Sequence, residues 1–234
     1  MASAEVRSRA TSRSAATPST KEVLVTTAER LFARHGIDGV SIRQILQEAG
    51  VANNSAVQYH FESKLGLVQA IVLHRAPYLA ERRRLLWEQA PTGDLRAGIE
   101  AHFLPVAEVA ELAGSHYLTF LEQLDLRHSV HDPFDQLPED IRRRYHDYEE
   151  RIGALLPDLP EPVRSRRLLH ASALCLHVCA GRERGLERGD EQIPLAVHVN
   201  ELLDLLIAVL DAEVSPQTER ALSNVRRSAG STKR

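Results

Sequence analysis

The sequence predicts an all-α protein, and three features of the 234-residue chain support that fold class. Aromatic residues make up only 5% of it while Leu and Ala predominate, which favours helices over strands. Apolar residues recur at helical spacing in one segment after another, and no segment shows the alternation of a half-buried strand. Hydrophobic residues at 43% and charged residues at 26% are ordinary for a globular protein.

The N-terminal segments predict three short helices after a disordered arm. Residues 1–18 are rich in Ser, Ala, Thr and Arg, so they have little to bury. Ser19 and Glu22 form a capping-box pattern at the start of the first helix, and Gly36 ends that helix. Ser41 and Gln44 repeat the capping box for the second helix.

The third helix follows a tight turn after Gly50. Asn53 is expected to cap this helix, which ends near Phe61, and Ser63 is expected to cap a much longer one. Three short helices within about 45 residues, the last two joined by a tight turn, form a helix-turn-helix layout. We therefore assign residues 19–65 to a DNA-binding head.

The rest of the chain predicts a larger helical body over residues 66–214. Amphipathic segments follow Pro91, with a bend expected near Pro105, and residues 128–138 are expected to form a loop. Two strongly apolar helices close the body, and the polar residues 215–234 are expected to be a flexible tail.

Charge and cysteine content narrow the functional class. Residues 1–90 hold 12 Lys/Arg and 8 Asp/Glu, whereas residues 91–234 hold 17 and 24, so a basic N-terminal part is joined to an acidic body. That asymmetry suggests that one end meets a polyanion. No apolar run spans a bilayer and the N-terminus lacks a secretory pattern, so a cytoplasmic protein is expected. Cys175 and Cys179, one helical turn apart, are interpreted as buried free thiols, with a redox switch as the alternative.

Residues 20–70 resemble the DNA-binding domain of the TetR/AcrR family of transcriptional regulators. The matching runs are AERLFARHGIDGVSIRQILQEAGV and YHFESKLGL. The resemblance implies an N-terminal three-helix helix-turn-helix domain joined to a larger helical ligand-binding and dimerisation domain. It implies a sequence-specific transcriptional repressor that acts as a homodimer on a double-stranded DNA operator. No cofactor or metal is expected.

The third helix departs from the family pattern in two places. Ala52 is an extra turn residue, and Gln58 stands where the family often has a tyrosine. Amide side chains can pair with adenine in the major groove, whereas contacts to phosphate position the protein without specifying sequence. The candidate DNA-contacting residues are Ser41, Arg43, Asn53, Asn54, Ser55, Gln58, Tyr59, His60 and Lys64.

The resemblance also implies a ligand cavity and a four-helix dimer interface in the helical body. An apolar or aromatic small molecule of unknown identity is the expected effector. The candidate ligand-binding residues are Trp87, His102, Phe103, His116, Tyr117, Phe120, Leu124, Leu174 and His177. The candidate interface residues are Leu169, Ala173, Leu176, Ala180, Leu202, Leu205, Leu206 and Val209.

Other functional classes have weaker support. The chain has no Gly-x-Ser-x-Gly elbow, phosphate-cradling Gly-rich loop or His-Glu-x-x-His motif, so an enzyme is not expected. His128, His131 and Asp132 lie close together in sequence but lack the spacing of a structural zinc site. The alternatives left open are a constitutive DNA-binding protein without a ligand and, more remotely, an all-helical enzyme.

Overall fold

The computed structural model describes residues 18–53, 55–125 and 139–231, and in these residues it contains helices and no strand, which confirms the all-α prediction. The expected loop with His128, His131 and Asp132, the arm before Pro18 and Asn54 lie outside the described residues. The helices are α1 (Thr20–Gly39), α2 (Ile42–Glu48), α3 (Ala56–Phe61), α4 (Lys64–Gln89), α5 (Leu95–Ala110), α6 (Tyr117–Asp125), α7 (Glu139–Ala154), α8 (Glu161–Arg188), α9 (Leu195–Asp211) and α10 (Pro216–Ser231).

Both predicted capping boxes are present at the starts of α1 and α2. The Glu22 N–H donates to Ser19 Oγ at 3.2 Å, while the Ser19 N–H donates to the Glu22 carboxylate at 2.7 Å. Ser41 and Gln44 make the same reciprocal pair at α2, at 3.2 and 2.8 Å. These bonds satisfy backbone donors that a helix start otherwise leaves open.

Gly36 interrupts α1 as the sequence predicts. Its φ of 73° and ψ of 156° lie outside the helical region, and the chain kinks there before a last short turn. A residue with a Cβ is strained at this φ, which is why glycine ends the regular part of the helix.

The junction of α3 and α4 is unusually close. Glu62 has a positive φ of 63°, and Ser63 Oγ then accepts from the Gly66 N–H at 3.0 Å to cap α4. A Cβ added at Gly66 would lie 2.0 Å from the carbonyl oxygen of Phe61. Glycine at this position therefore lets α4 begin directly against the end of α3.

The DNA-binding head and the helical body share one hydrophobic core. Buried residues run without a break from Leu24 and Phe32 in α1 to Leu206 and Leu210 in α9. The rings of Phe32 in α1 and Phe120 in α6 stack with centroids 6.2 Å apart, so α6 packs directly on the first helix of the head. In the body, α8 packs against α5, α6, α7 and α9.

Two sequence predictions need correction. Residues 216–231, expected to be part of a flexible tail, form the helix α10, which Ser215 caps by accepting from the Thr218 N–H at 3.3 Å. The polar composition pointed to a frayed end, but a Ser-Pro start favours helix initiation at Pro216. Asn53 does not sit at the N-cap of α3, because Ser55 occupies that place.

None of the helices in the described part of the chain is both long enough and apolar enough to cross a membrane.

Candidate DNA-binding surface and its junction with the helical body

The helix α3 has one buried face and one open face. Ala56, Val57 and Phe61 are buried, with Val57 only 1% exposed, so they fix the helix on the head. Gln58 is exposed, and Tyr59 is 82% exposed although it is a large aromatic residue. This alternation follows helical spacing, and it holds the polar tips of Gln58 and Tyr59 away from the protein.

His60 is the half-buried member of the predicted set. Its ring lies edge-on to Tyr59, with centroids 4.9 Å apart, and 5.9 Å from the ring of Phe61. The imidazole therefore joins the exposed surface of α3 to the buried face. It can orient Tyr59 as well as contact a phosphate.

The turn before α3 is held by Asn53. Its Oδ1 accepts from the Ser55 N–H at 2.9 Å, and its backbone carbonyl accepts from the Ala56 N–H at 3.1 Å. This is an Asx turn, in which an asparagine side chain mimics a backbone turn. Asn53 therefore shapes the start of α3 from two residues before its N-cap, and its side-chain oxygen is occupied by the turn.

The start of α2 presents the other predicted contacts. Ser41 and Arg43 are both exposed, but Ser41 Oγ is engaged with Gln44 in the capping box. Lys64, at the start of α4, is half-buried, and its Nζ lies 5.6 Å from the centroid of the Phe32 ring. The side chain of Arg43 is thus more exposed to solvent than that of Lys64.

Two buried carboxylates hold the start of α6. The His116 N–H donates to Glu29 Oε1 of α1 at 2.9 Å. The Thr119 N–H and hydroxyl both donate to Glu183 Oε2 of α8 at 2.8 Å, and Ser115 Oγ donates to Glu183 Oε1 at 2.9 Å. Negative charge suits the N-terminus of a helix, where free N–H groups point outward. One carboxylate comes from the head and one from the body, so α6 begins at the junction of the two.

The two carboxylates differ in how well they are satisfied. Glu183 accepts hydrogen bonds from Ser115 Oγ, the Leu118 N–H, and the N–H and hydroxyl of Thr119, whereas Glu29 Oε2 is buried and has no hydrogen-bond partner in the described residues. Burial raises the pKa of the Glu29 carboxyl; Glu183 raises it further, and the His116 N–H and Arg75 oppose the shift.

Ion pairs continue this junction at the surface. Arg34 of α1 pairs with Glu187 of α8, and His116 Nδ1 lies 3.4 Å from the same carboxylate. The hydrogen bond from Arg34 lowers the pKa of Glu187. A cavity of about 390 Å³ opens here, lined by Arg34, residues 110–116, Glu183, Leu186 and Glu187.

Sequence interpretation missed Glu29, Glu183 and Arg34. One signal was present: Glu29 lies four residues after Val25 and three before Phe32, within the apolar stripe of α1. A carboxylate in a core stripe needs a partner, but the sequence does not show that the partner is a backbone N–H about 90 residues away.

The predicted ligand-binding residues do not form one lining. Phe103, Tyr117, Phe120 and Leu124 are buried in the shared core, and Tyr117 hydroxyl points to the Val72 carbonyl at 3.5 Å. His102 is also buried, and burial lowers its pKa well below the ordinary value.

The remaining members of that set lie in other places. Trp87 packs near Gly98 and Arg151 at the far end of α4. His116 lines the junction cavity described above. Leu174 is half-buried in α8, while His177 is exposed and its Nδ1 lies 2.7 Å from Glu122 Oε1.

The predicted dimer residues divide into two groups. Leu169 is 58% exposed, Ala173 and Leu205 are also exposed, and Leu176 and Val209 are half-buried. The prediction that Ala180, Leu202 and Leu206 face a dimer partner was wrong, because these side chains are buried in the chain's own core. Only some of the apolar residues on α8 and α9 face the chain's own core, and sequence periodicity did not separate the inward from the outward ones.

The two cysteines are buried, as predicted, in α8. Their Sγ atoms lie 4.0 Å apart. The Cys175 thiol lowers the pKa of Cys179 to about 6 by hydrogen bonding to its thiolate, and His198 and Arg182 lower it further. The same hydrogen bond and burial raise the pKa of Cys175.

Comparison with known proteins agrees with this architecture. The model of the family described as "Bacterial regulatory proteins, tetR family" matches residues 24–71. No curated protein matches the chain by sequence.

Solved structures show the same fold over most of the chain. A transcriptional regulator from Rhodococcus sp. Rha1 has a TM-score of 0.57 and 18% identity, covering 85% of this chain and 100% of that one. AmtR from Mycobacterium smegmatis has a TM-score of 0.54 and 17% identity, covering 87% and 91%. FadR from Bacillus subtilis, solved with stearoyl-CoA, has a TM-score of 0.50 and 19% identity, covering 80% and 97%.

The matched segment covers α2 and α3 and most of α1, and it ends within α4. It is the part of the chain in which Val57 and Phe61 fix α3 while Gln58 and Tyr59 stay open. The exposed helix α3 thus lies within the segment that is similar to the tetR family of bacterial regulatory proteins.

Proposed function

We propose that the protein is a homodimeric repressor that binds a DNA operator through α2 and α3 and is released by a small apolar or aromatic molecule. The observation that carries the DNA-binding half is the open face of α3. Tyr59 exposes 82% of its surface to solvent and lies next to the exposed Gln58, so the polar tips of both side chains are accessible to a partner. A major groove accepts an α-helix of this kind.

The contact residues fall into two proposed roles. Gln58 is the side chain best placed for base edges, because it is exposed and carries both a donor and an acceptor. Ser41, Arg43, Ser55, Tyr59 and His60 are proposed phosphate contacts, with Asn53 shaping the turn. Lys64 is proposed to add charge to the phosphate contacts. Asn54 remains a proposed contact on sequence grounds.

Two heads are needed for a specific operator, so we propose a dimer through α8 and α9. One three-helix head spans few base pairs, and paired half-sites one helical turn apart require a twofold partner. Leu169 and Ala173 on α8, with Leu205 and Val209 on α9, are apolar side chains with open or partly open surface. Covering them in a four-helix contact would remove that surface from water.

The proposed response to a ligand runs through α6. Because Glu29 and Glu183 hold the same helix start, a shift of α6 changes contacts in the head and in the body together. A ligand shifts the equilibrium only if it binds one arrangement better than the other. FadR from Bacillus subtilis was solved with stearoyl-CoA, and that likeness supports proposing a ligand for this chain.

A constitutive DNA-binding protein is the second candidate. Phe103, Tyr117, Phe120 and Leu124, expected to line a cavity, are instead buried among core residues. The packing of these residues gives no reason to expect an effector. In both candidates the protein is proposed to act in the cytoplasm without enzymatic activity or a cofactor.

Mobility-shift titration against the DNA beside the protein's own gene tests the proposal. Binding of a dimer to a specific fragment, with random DNA bound at least about 1,000-fold more weakly, is the expected result for a specific regulator. Failure of a confirmed dimer to select any fragment at modest salt contradicts the repressor. Selective binding that no screened apolar compound weakens favours the constitutive candidate.

A further inference from the structure

We propose that Cys175 and Cys179 form a binding site for one soft, thiophilic metal ion, with copper(I) as the best-fitting class. The site lies inside the helical body, in α8, and is separate from the DNA-contacting surface. Both thiols lie on the same face of the helix one turn apart, and both side chains are buried. The proposal does not depend on which molecule releases the protein from DNA.

The separation of the two sulfur atoms suits a shared ion. Metal–thiolate bonds of about 2.3 Å place two sulfurs at most about 4.6 Å apart on one ion, which is the linear limit. The observed Sγ–Sγ distance of 4.0 Å lies inside that limit. With bonds of about 2.3 Å it corresponds to a sulfur–ion–sulfur angle of about 120°, which leaves a third position open.

His198 of α9 is the candidate for that third position. Its Nε2 atom is buried and has no hydrogen-bond partner in the described residues, although buried polar atoms normally have one. The helix that carries His198, α9, packs against α8, which carries both cysteines. A neutral imidazole nitrogen completes a three-donor set when its ring turns toward the two sulfurs.

The charges around the pair favour bound thiolates. Two thiolates and a monovalent ion leave one net negative charge in a buried site, which needs compensation. The buried guanidinium group of Arg83 is the candidate for that compensation, since the buried Arg182 is already paired with Glu111. On binding, the two thiols release two protons and form two sulfur–metal bonds, and nothing is oxidised or reduced.

The donor set discriminates between metals. Soft thiolate ligands select copper(I), which accepts two or three ligands, whereas structural zinc takes four in a tetrahedron. In the described residues no three or more His, Cys, Asp or Glu side chains are grouped to hold an ion, so His198 is not in place as a ligand and the site as it stands offers two thiolates. Zinc therefore lacks its ligand set here, while a two-thiolate site with a movable imidazole is sufficient for copper(I).

The test is a competition for copper(I) between the reduced full-length chain and a coloured copper(I) chelator, without DNA. One ion per chain is expected, with release of protons in unbuffered solution and no binding of zinc at matched concentration. Cys175→Ser and Cys179→Ser should each lose the ion to the chelator. His198→Ala should weaken binding about 10- to 100-fold, while His170→Ala, an exposed histidine on the same α8, should not change it.

Three results would overturn the site. The first is that both serine variants retain copper(I) as well as the wild-type chain does. The second is that zinc binds as tightly as copper(I), and the third is that the wild-type chain does not retain copper(I). If a serine variant does not fold, X-ray absorption of the copper-loaded wild type decides. Two sulfur neighbours at about 2.3 Å support the site, and a shell of nitrogen or oxygen alone refutes it.

Discussion

The backbone N–H of His116, at the start of α6, donates to the buried carboxylate of Glu29 in α1 at 2.9 Å. This bond joins the helix that carries the DNA-binding head to the helix that leads into the body. Glu183 of α8 meets the next turn of α6 from the opposite side. The start of α6 is thus held by one carboxylate from the head and one from the body.

Glu29→Gln should make the protein's stability less sensitive to rising pH. Burial raises the pKa of the Glu29 carboxyl, so the folded state binds its proton more tightly than the unfolded state. Stability is then lost as pH rises from the unfolded pKa through the folded pKa. Glutamine does not ionise and its carbonyl still accepts from the His116 N–H. In urea titrations, the free energy of unfolding of the variant relative to wild type should increase from about pH 4 to about pH 8.

Glu22→Gln is the matched control with the opposite sign. The Glu22 carboxylate is exposed, and hydrogen bonds from Ser19 lower its pKa. Its contribution is present above the unfolded pKa and is lost as pH falls through the folded pKa. A relative gain for Glu22→Gln at the higher pH, or none for Glu29→Gln, contradicts this assignment.

Gln58→Ala should relax base preference at one operator position by about 1–3 kcal/mol, with little loss of affinity for random DNA. Gln58 is exposed on α3 and its truncation leaves Val57 and Phe61 in the core. Quantitative binding to operator fragments varied one base pair at a time measures the effect.

Arg43→Ala is the companion variant for phosphate contact. It should weaken binding to all sequences alike and reduce the salt dependence by about one charge. Lys64→Ala should do the same, with a smaller salt effect because its ammonium rests against the Phe32 ring. Equal losses on operator and random DNA for Gln58→Ala would exclude base recognition by that residue.

Gly66→Ala should destabilise the head by about 1–3 kcal/mol, because the added methyl group overpacks the α3–α4 junction. The new Cβ would meet the Phe61 carbonyl oxygen at 2.0 Å, and a backbone atom cannot rotate away as a side chain does. Gly153→Ala in α7 is the control, since its Cβ would meet only Arg164 side-chain atoms at 3.5 Å or more. That variant should be neutral or gain about 0.5–1 kcal/mol from helix propensity. Thermal unfolding of both variants separates the outcomes.

Leu169→Arg should weaken the proposed dimer and, with it, operator binding. The side chain is 58% exposed on α8, so the free chain tolerates the charge while a buried apolar contact does not. Sedimentation across a concentration series should show dissociation at higher protein concentration than for wild type. Leu112→Arg, at an exposed leucine after α5, should leave the association state unchanged. An unchanged association state for Leu169→Arg places the interface elsewhere.

Sequence patterns located most of the head because its signals are local. Capping boxes at Ser19 and Ser41, the break at Gly36 and the cap at Ser63 each involve residues within three or four positions, and all four are present in the structure. Asn53 was predicted at the N-cap of α3, and it lies two residues before that N-cap, where it forms the preceding turn. Helix starts and stops are short-range events, so one sequence suffices to find them.

The same patterns failed for helices that carry apolar residues on both an inward and an outward face. Periodicity identified α8 and α9 as strongly apolar but assigned Ala180, Leu202 and Leu206 outward, although they are buried. The residues predicted to line a ligand cavity shared size and polarity, yet two of them, Trp87 and Tyr117, lie in different regions of the structure. Which side of a helix meets which neighbour is decided by packing between distant segments.

By itself, the sequence determined that the chain is helical and that its first helices take a helix-turn-helix layout, and it favoured buried free thiols over a redox switch for the two cysteines. Those conclusions follow from spacing and capping, which act over a few residues. Only the tertiary structure decided that Glu29 and Glu183 both hold the start of α6, and that His198 Nε2 is buried on α9, the helix that packs against the cysteine-bearing α8. Those pairs join residues far apart in the chain, and they meet because burial of the shared core folds α1, α6, α8 and α9 together.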